Sequence, residues 1–295
     1  MKNNIGMELR ANGKINLYLD VISKESDGFH NIKSIMQSVS LCDRIIISAA
    51  RSSKSDVSIT CDIPYIPCDE RNIAHKAVMK FLNRCAITAE VTLNLQKRIP
   101  VSGGMAGGST DAAAVLSGIN RLFGSPLPQS ELYTLAAELG SDVPFCLMGK
   151  TALCEGRGEK MTPLESKAKA LWLIVPSSES VSTPWAYGKL DAVFGDFSGR
   201  NNTQKYNALT AALACGDIHG IASNMYNIFE DVILKERPVA RRAKELLLAG
   251  GALGAMMSGS GPTTFGLFEN AETRTAAAQL LKSNGYYPKF AESMV

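Results

Sequence analysis

The chain has 295 residues, which is long for one small domain and favours either two lobes or one large core. Hydrophobic residues make up 45% of the sequence and charged residues 20%, so the composition excludes disorder as the dominant state. The formal net charge is only +3 and there is no clustered basic footprint, so we expect no nucleic-acid partner.

The sequence also limits where the chain is expected to work. No apolar run reaches the roughly 20 residues that a membrane-spanning helix needs, so we expect no membrane partner. The start lacks the apolar core of a secretory signal, and we predict a cytoplasmic protein. The seven cysteines are odd in number and none has CxxC spacing. This argues against a disulfide framework or a zinc ribbon and favours buried thiols.

Hydrophobic periodicity predicts the elements of the first half of the chain. In chain order they are strands at 7–22, a pair within 32–49 and one at 57–61, a helix at 72–84 capped by Asn72, a strand around 91–95, and helices at about 111–123 and 130–139. A second part of the chain begins near residue 150.

The second half continues with a strand at 170–175, helices at 183–190, 204–214, 216–224 and 239–248, strands at 255–257 and 263–268, a helix at 271–282 and a strand at 286–290. Strands and helices mix without regular alternation. We therefore predict an α+β fold rather than a doubly wound sheet.

The most informative segment is the glycine-rich loop Ser102–Gly108, which lies between a predicted strand and a predicted helix. Its four glycines let backbone N–H groups approach an anion without obstruction by a Cβ atom. The N-terminus of the next helix adds unpaired donors and partial positive charge, so the pattern predicts a phosphate cradle. It matches neither a Walker A sequence nor a Rossmann fingerprint. The alternative is a turn that caps a helix, with Ser109 and Thr110 as ordinary N-cap residues.

Two charged residues at unusual positions are candidates for catalysis. Lys14 lies in the middle of a predicted strand among apolar neighbours, where an edge or snorkelling lysine is the ordinary alternative. Asp142 follows a predicted helix and precedes an apolar run, where a turn or N-cap carboxylate is the ordinary alternative. Neither residue decides between the two interpretations by itself.

Three separated segments together resemble the GHMP kinases. They are Asn12–Leu17, Pro100–Ala113 and Met257–Thr263, which look like the three motifs of that family. Asp27–His30 and Gly140–Phe145 narrow the resemblance to members that phosphorylate a cytidine-diphosphate-linked methylerythritol in the non-mevalonate isoprenoid pathway.

The resemblance extends from residue 10 to about residue 268 and implies a two-lobed α+β fold. The N-terminal lobe would have a mixed sheet with helices, the C-terminal lobe would be an α/β sandwich, and the active site would lie in the cleft between them. We accordingly expect an ATP-binding GHMP kinase domain at residues 1–157 and a C-terminal domain at residues 158–295. A monomer and a homodimer both stay open.

The resemblance implies ATP as phosphoryl donor, Mg²⁺, and a C2 hydroxyl of the small-molecule substrate as acceptor. Asp142 would take the hydroxyl proton, and Lys14 beside it would keep that carboxylate ionised and neutralise charge on the transferring group. The residues implied to bind ATP are Pro100, Val101, Ser102, Gly103, Gly104, Met105, Ala106, Gly107, Gly108, Ser109 and Thr110. Ser109 and Thr110 would bind phosphate oxygens or help to hold magnesium, whose ligands otherwise stay unassigned.

The residues implied to bind the acceptor substrate are Asn16, Phe29, His30, Tyr187, Ser258 and Gly259. Phe29 and His30 resemble the cytosine-binding pair of the family. Tyr187 is the expected second aromatic ring against the base, and Trp185 is its rival; a core aromatic is the alternative for both. For Asn16 the alternative is a polar strand residue that faces solvent. Ser258 and Gly259 would close over the glycine-rich loop, or would simply form a tight turn between two strands.

Three positions depart from the usual pattern of the family. Ala106 stands where another glycine is usual, so we expect the loop to keep its shape only if φ is negative there. Asn12–Gly13 replaces the small or alanine residues that usually precede the lysine. Phe29 stands where the family often has tyrosine, so the ring can still stack but a hydroxyl contact is lost. Two rival functions are a kinase of another small alcohol, such as mevalonate or homoserine, and a silent ligand-binding regulator.

Overall fold

The computed structural model describes residues 5–197, 200 and 202–295, and within them the fold is α+β, as predicted. Residues 1–4 of the predicted first domain lie outside this range. The strands are β1 (Ile5–Lys24), β2 (His30–Arg51), β3 (Asp56–Cys61), β4 (Ala89–Gln96), β5 (Thr151–Gly156), β6 (Lys160–Pro163), β7 (Leu171–Val175), β8 (Tyr226–Asn227), β9 (Gly254–Met257), β10 (Thr264–Phe268) and β11 (Lys289–Glu292). The helices are α1 (Ile73–Arg84), α2 (Gly107–Leu122), α3 (Gln129–Leu139), α4 (Val143–Met148), α5 (Thr183–Phe194), α6 (Thr203–Cys215), α7 (Ile218–Asn224), α8 (Glu230–Glu236), α9 (Pro238–Ala249) and α10 (Ala271–Ser283).

The chain forms two compact units, each assembled from separate stretches of sequence. The first contains the described residues of Met1–Gly13 together with Cys42–Ile99 and Ala106–Gly149. The second contains Lys14–Leu41, Pro100–Met105 and Lys150–Val295. The expected boundary after residue 157 falls inside the last of these stretches. The sequence domains 1–157 and 158–295 therefore stay a prediction.

The first unit packs helices α1 to α4 against a small sheet. Residues 44–51 of β2 pair antiparallel with β4, and β3 pairs parallel with the other edge of β4. Alternate residues of β4 face the core, as the sequence predicts, and each is about 1% exposed: Val91, Leu93 and Leu95. Helix α1 begins as predicted, since the Asn72 side chain accepts a hydrogen bond from the Ala74 backbone N–H at 2.9 Å.

Strand β2 is one strand of 22 residues, so the predicted strand pair within 32–49 is wrong. The strand changes partner along its length. Residues 32–37 pair with β5 in the second unit, and residues 44–51 pair with β4 in the first. The six residues between these two ladders, 38–43, continue as extended chain.

The second unit contains a sheet of order β11-β7-β10-β9, whose neighbours are all antiparallel. Helices α9 and α10 cover it through buried side chains that include Leu247 and Leu281. Strand β8 pairs parallel with β1 over Tyr18 and Leu19. The predicted last strand is displaced to residues 289–292, because Pro288 has no backbone N–H to donate.

Several short elements escape the sequence prediction. Helices α4 and α8 have six and seven residues, and β5, β6 and β8 have six, four and two, too few to show a clear period. All seven cysteines are free thiols, as expected, although only Cys154 is buried. Among the described helices, none has the length and hydropathy needed to cross a membrane.

Candidate active site

Helix α2 starts inside the glycine-rich segment. It begins at Gly107, so the predicted start at about residue 111 is wrong. Because glycine has a low helix propensity, the local sequence does not predict that this turn is helical. The turn requires a small residue all the same, because a Cβ on Gly107 would lie 3.3 Å from the Ile99 Cγ2 atom. The unpaired N–H groups of this first turn suit an anion.

Ser109 and Thr110 lie within that first turn and are not its N-cap. The N-cap position belongs to Ala106, so the capping alternative for the two hydroxyl residues is wrong. The Thr110 hydroxyl donates to the Gly107 carbonyl at 2.9 Å, and the residue is 2% exposed. Ser109 is half-buried.

Ala106 has a left-handed backbone, with φ 59° and ψ 31°. The expected negative φ is therefore wrong, and the loop keeps the glycine-like conformation with a Cβ in place. For an L-residue this costs about 1–2 kcal/mol. Ser102, at the other end of the loop, is also left-handed, with φ 53°. Strain of this kind persists only where the surroundings fix the backbone.

A buried charge cluster supports the start of α2. We call Lys97, Asp43 and Asp111 the charge triad; their side chains are 3%, 0% and 5% exposed. The Lys97 ammonium pairs with both carboxylates and lies 3.3 Å from the Gly107 carbonyl oxygen. Asp43 also accepts from the Ile99 backbone N–H at 2.8 Å. The triad thus ties the end of β4 to β2 and to the first turn of α2.

The triad places one ammonium group beside two carboxyl groups in a nearly dry environment. Burial raises the pKa of Asp111 to about 7, although Lys97 acts in the opposite direction. Burial by itself lowers the pKa of Lys97, but the Asp111 and Asp43 carboxylates more than offset this, so its pKa is raised. Asp111 Oδ1 is buried without a hydrogen-bond partner among the described residues. No pattern in the sequence marks this cluster, because its three members are far apart in the chain.

Asp142 occupies the N-cap position of the short helix α4, with φ −84°. Its side chain makes no capping hydrogen bond to that helix, so the N-cap alternative does not account for the carboxylate. The residue is half-buried, between the exposed Ser141 and the buried Val143.

In the second unit, Lys14 is 4% exposed, which excludes the snorkelling interpretation. Its Nζ donates to Asn16 Oδ1 at 2.7 Å and to the Gly104 carbonyl oxygen at 2.8 Å. Asn16 is 1% exposed and donates in turn to Ser34 Oγ at 2.8 Å, so it does not face solvent. These bonds fix the position of the ammonium group.

The last motif packs directly on the glycine-rich loop. Ser258 Oγ donates a hydrogen bond to the Gly104 carbonyl oxygen at 3.0 Å. This oxygen therefore accepts hydrogen bonds from both Lys14 and Ser258. A Cβ on Gly104 would lie 2.0 Å from the Ser258 carbonyl oxygen, and one on Gly103 would lie 2.2 Å from Thr263 Oγ1. The structure therefore brings together three motifs that lie far apart in the sequence, and the close approach requires glycine.

Asn227 holds the turn of that motif and was missed by the sequence analysis. Its Nδ2 donates to the carbonyl oxygens of Met257 and Gly259, at 2.7 and 2.9 Å. Its Oδ1 accepts from the Phe229 backbone N–H at 3.0 Å. Because Asn227 lies in the two-residue strand β8, no periodic signal could have marked it.

His30 lies in an aromatic cluster in the second unit. Its ring stacks on Tyr187 with centroids 4.6 Å apart and contacts the Phe197 ring edge-on at 5.7 Å. His30 Nε2 lies 2.7 Å from Asp191 Oδ1, which the sequence analysis did not single out. A base between His30 and Tyr187 would need roughly twice their separation, so these two rings do not form an open slot.

Phe29 and Trp185 each lie under a cation. Phe29 is 54% exposed, and the Arg157 guanidinium lies 3.7 Å from its ring centroid while pairing with Asp27. The Trp185 ring is covered by Arg237 at 4.4 Å. Arg157 is therefore a further residue at the predicted base site.

Comparison with known proteins identifies the family. Sequence models described as "GHMP kinases N terminal domain" and "GHMP kinases C terminal" match residues 72–150 and 208–286. A 4-diphosphocytidyl-2-C-methyl-D-erythritol kinase from Caldicellulosiruptor saccharolyticus is 45% identical over 276 residues, which covers 94% of this chain and 93% of that protein. The chain belongs to the GHMP kinase family. Another protein of that name, from Clostridium botulinum, is 41% identical and covers 98% of this GHMP kinase and 97% of its own length.

Solved structures agree with this assignment. A crystal structure of 4-(cytidine 5'-diphospho)-2C-methyl-D-erythritol kinase superposes with a TM-score of 0.81 at 29% identity, covering 98% of this GHMP kinase and 100% of that chain. Homoserine kinase from Cytophaga hutchinsonii gives a TM-score of 0.74 at 21% identity, covering 100% and 96%, which shows the shared fold alone. The described part of this GHMP kinase holds no cluster of three or more His, Cys, Asp or Glu side chains suited to a metal ion.

Proposed function

We propose that this GHMP kinase transfers the γ-phosphoryl group of ATP to the C2 hydroxyl of 4-diphosphocytidyl-2-C-methyl-D-erythritol, in the non-mevalonate isoprenoid pathway. The observation that carries the proposal is the full-length similarity, at 45% and 41% identity, to proteins of that name. Convergence of Lys14 and Ser258 on the Gly104 carbonyl supports it, since a kinase needs a rigid frame around its phosphate loop.

The glycine-rich loop and the first turn of α2 would hold the triphosphate of ATP. The fit rests on the N–H groups of Gly107, Gly108 and Ser109, which have no partner within the helix; the Thr110 N–H is the first that has one, the Ala106 carbonyl at 2.9 Å. The Ser109 hydroxyl would help to hold Mg²⁺, which would supply positive charge against the phosphates, whereas the Thr110 hydroxyl already donates to the Gly107 carbonyl at 2.9 Å.

Asp142 would accept the proton of the C2 hydroxyl as the acceptor oxygen attacks phosphorus. Base catalysis of this kind contributes about 100- to 10,000-fold. Lys14, held by Asn16 and the Gly104 carbonyl, would place a fixed positive charge for the transferring phosphoryl group. Because this ammonium is already positioned, it would need little reorganisation during the reaction.

The cytidine end of the substrate would bind near Phe29 and His30. Because Tyr187 is already stacked on His30, the base would stack on the exposed ring of Phe29 rather than enter between His30 and Tyr187. Stacking on an aromatic ring contributes about 1–3 kcal/mol per base. Arg157 would either move from the Phe29 face or remain as a cation against the base from the other side.

An ATP-consumption assay with Mg²⁺ tests the proposal, using the cytidylylated alcohol beside mevalonate and homoserine. We expect turnover with the first substrate only. Asp142→Asn should lower kcat by about 100- to 10,000-fold with KM within a few-fold, whereas Asp56→Asn, at an exposed position of β3, is the matched control. Turnover with only mevalonate or homoserine would overturn the assignment of the substrate. A kcat of Asp142→Asn within a few-fold of the parent value would overturn the assignment of Asp142 as the base.

The proposal extends to location, oligomeric state and the need for Mg²⁺. A kinase of this substrate would work in the cytoplasm. It would be a monomer or a homodimer, and light scattering on the purified chain distinguishes these two states by mass. Omission of Mg²⁺, with an excess of chelator, should abolish turnover while leaving the fold intact.

A further inference from the structure

We propose that Asn227 is a positioning residue for phosphoryl transfer: it holds the turn Met257–Gly259, and that turn fixes the Lys14 ammonium group. The inference rests on the proposed function, because it assigns a part in the same reaction to a residue that lies outside the three motifs of the family. All of these residues belong to the second compact unit, so their contacts lie within one body.

The side chain of Asn227 bonds both ends of the turn. Its Nδ2 donates to the Met257 carbonyl oxygen at 2.7 Å and to the Gly259 carbonyl oxygen at 2.9 Å, which uses both hydrogens of the amide. Its Oδ1 accepts from the Phe229 backbone N–H at 3.0 Å, so the amide cannot rotate without losing a bond. The residue is 3% exposed, and water does not replace a bond that is lost there.

The turn lies directly against Lys14. Ser258 Oγ donates to the same Gly104 carbonyl oxygen that accepts from Lys14 Nζ, at 3.0 and 2.8 Å. A Cβ atom on Gly259 would lie 3.0 Å from that oxygen and 3.4 Å from Lys14 Nζ. A displacement of the turn therefore moves the acceptor of the ammonium group or presses on the group itself.

These contacts close back on the strand that carries Lys14. Strand β8 pairs parallel with β1, with Asn227 opposite Leu19, and the Ile228 backbone N–H donates to the Leu19 carbonyl oxygen at 3.0 Å. Asn227 is thus anchored on the same strand as Lys14 and holds the turn from there. The ammonium group is fixed from its own strand and from the acceptor that the turn supports.

The position of this charge matters in the transition state more than in the ground state. Charge develops on the transferring phosphoryl group, and a fixed cation stabilises it without reorganisation. A misplacement of about 1 Å can lower the rate about 100-fold. The triphosphate would still bind to the first turn of α2, which Asn227 does not support. We therefore expect Asn227 to affect kcat rather than the KM for ATP.

The test is Asn227→Asp in the complete enzyme. The aspartate keeps the size of the side chain and an acceptor for the Phe229 N–H, but it places an acceptor-only group against two carbonyl oxygens. Glu230 still accepts from the Met257 N–H at 2.8 Å, so the displacement falls on the Gly259 end, beside Lys14. We expect kcat to fall about 10- to 100-fold, with KM for ATP and for the alcohol within about threefold.

Asn120→Asp is the matched control for a merely structural effect. Asn120 is 5% exposed near the end of α2, and its amide donates to the Leu127 carbonyl at 3.0 Å and accepts from the Leu127 N–H at 3.1 Å. It should lower the melting temperature by a similar amount but leave kcat unchanged at a temperature where both variants are folded. If Asn227→Asp does not fold, Asn227→Ala against Asn120→Ala makes the same comparison without a buried carboxylate.

A double-mutant cycle tests whether Asn227 acts through the turn. Ser258→Ala removes the hydroxyl that bonds the Gly104 carbonyl oxygen. If Asn227 and Ser258 belong to one coupled unit, the double variant should have about the kcat of the slower single variant. Losses of kcat that multiply would show that the two residues act independently and would contradict the proposal.

The ammonium signals give a readout that needs no turnover. Lys14 and Lys97 are both buried and donate hydrogen bonds, so their ¹H–¹⁵N signals should be visible through slow exchange with water. Lys14→Arg assigns the Lys14 signal by its loss. Asn227→Asp should shift or remove that signal and keep the Lys97 signal, whereas Asn120→Asp should keep both.

The outcomes separate this inference from the proposed function. If the parent enzyme does not turn over the cytidine-linked alcohol, the proposed function fails, and the ammonium spectrum still decides whether Asn227 fixes Lys14. If the parent enzyme is active but Asn227→Asp lowers kcat no more than Asn120→Asp does, the positioning role is overturned. A loss confined to the KM for ATP, or a Lys14 signal that stays unchanged in Asn227→Asp, overturns it as well.

Discussion

Removing the cation of the charge triad should destabilise the protein severely. In Lys97→Met the stem of the lysine is replaced by a side chain of similar length, so little packing is lost. The side chains of Asp43 and Asp111 are 0% and 5% exposed, so both carboxyl groups then remain buried without the ammonium group that they share. Deleting one partner of a buried pair costs about 3–5 kcal/mol, which is a large part of the about 5–15 kcal/mol that typically stabilises a domain.

Chemical denaturation followed by circular dichroism measures this loss. The triple variant Lys97→Met, Asp43→Asn, Asp111→Asn is the matched control, because it removes all three charges and keeps the shape. An asparagine Oδ1 at position 43 can still accept from the Ile99 backbone N–H, as the aspartate does at 2.8 Å. Since neutral replacements of buried ion pairs are often tolerated, we expect the triple variant to recover more than half of the lost stability.

The pH dependence has a definite sign. The folded pKa of Asp111, about 7, lies above its ordinary value of 3.8, so between these pH values the folded protein binds a proton that the unfolded chain has released. The free energy of unfolding therefore falls as pH rises through this window. Without Lys97 the second carboxylate becomes still harder to ionise, and the cost of Lys97→Met should be larger at about pH 8 than at about pH 5. A cost below about 1 kcal/mol, or a triple variant no more stable than the single one, would refute the reasoning.

Two further substitutions test the loop. Gly104→Ala should lower the free energy of unfolding by about 2–5 kcal/mol, because φ is +75° there and the new Cβ would lie 2.0 Å from the Ser258 carbonyl oxygen. Gly124→Ala is the control: its φ is +82° but nothing lies within 4 Å of the new Cβ, so only the backbone strain should lower the stability. Equal losses of stability in a thermal melt of the two variants would contradict the packing argument. Ala106→Gly should gain about 1 kcal/mol by relieving the left-handed alanine, whereas Ala114→Gly inside α2 should lose about as much. A loss in both variants, measured by urea denaturation, would mean that the backbone at Ala106 is not strained.

Periodicity predicted the elements whose form depends on nearby residues. Helix α1, with its Asn72 cap, and the alternating strand β4 both depend on contacts that the local pattern encodes. The prediction failed where a distant partner decides the structure. Strand β2 stays extended through residues 38–43 because β5 pairs with the residues before them and β4 with the residues after them, and the local sequence reveals neither partner.

The site shows the same limit. The resemblance to known motifs pointed to Lys14 and the glycine-rich loop, and the structure brings them together at the Gly104 carbonyl. Asp191 and Asn227 belong to no motif, and each acts across a long separation: 161 residues from Asp191 to His30, and 30 or 32 from Asn227 to its two carbonyl partners. A side chain whose role is to hold another residue leaves no local pattern, so only the fold reveals it.

Ala106 shows how the two kinds of information combine. The resemblance to the GHMP kinases marks position 106 as unusual, and from the sequence we expect its alanine to have a negative φ. The structure keeps the left-handed turn, because the segment is fixed on both sides. Before it, Met105 is buried and its carbonyl accepts from the Lys14 backbone N–H at 3.3 Å; after it, the charge triad holds the first turn of α2. The about 1–2 kcal/mol cost of a left-handed alanine is smaller than the cost of breaking the triad, which explains why the backbone strains rather than rearranges.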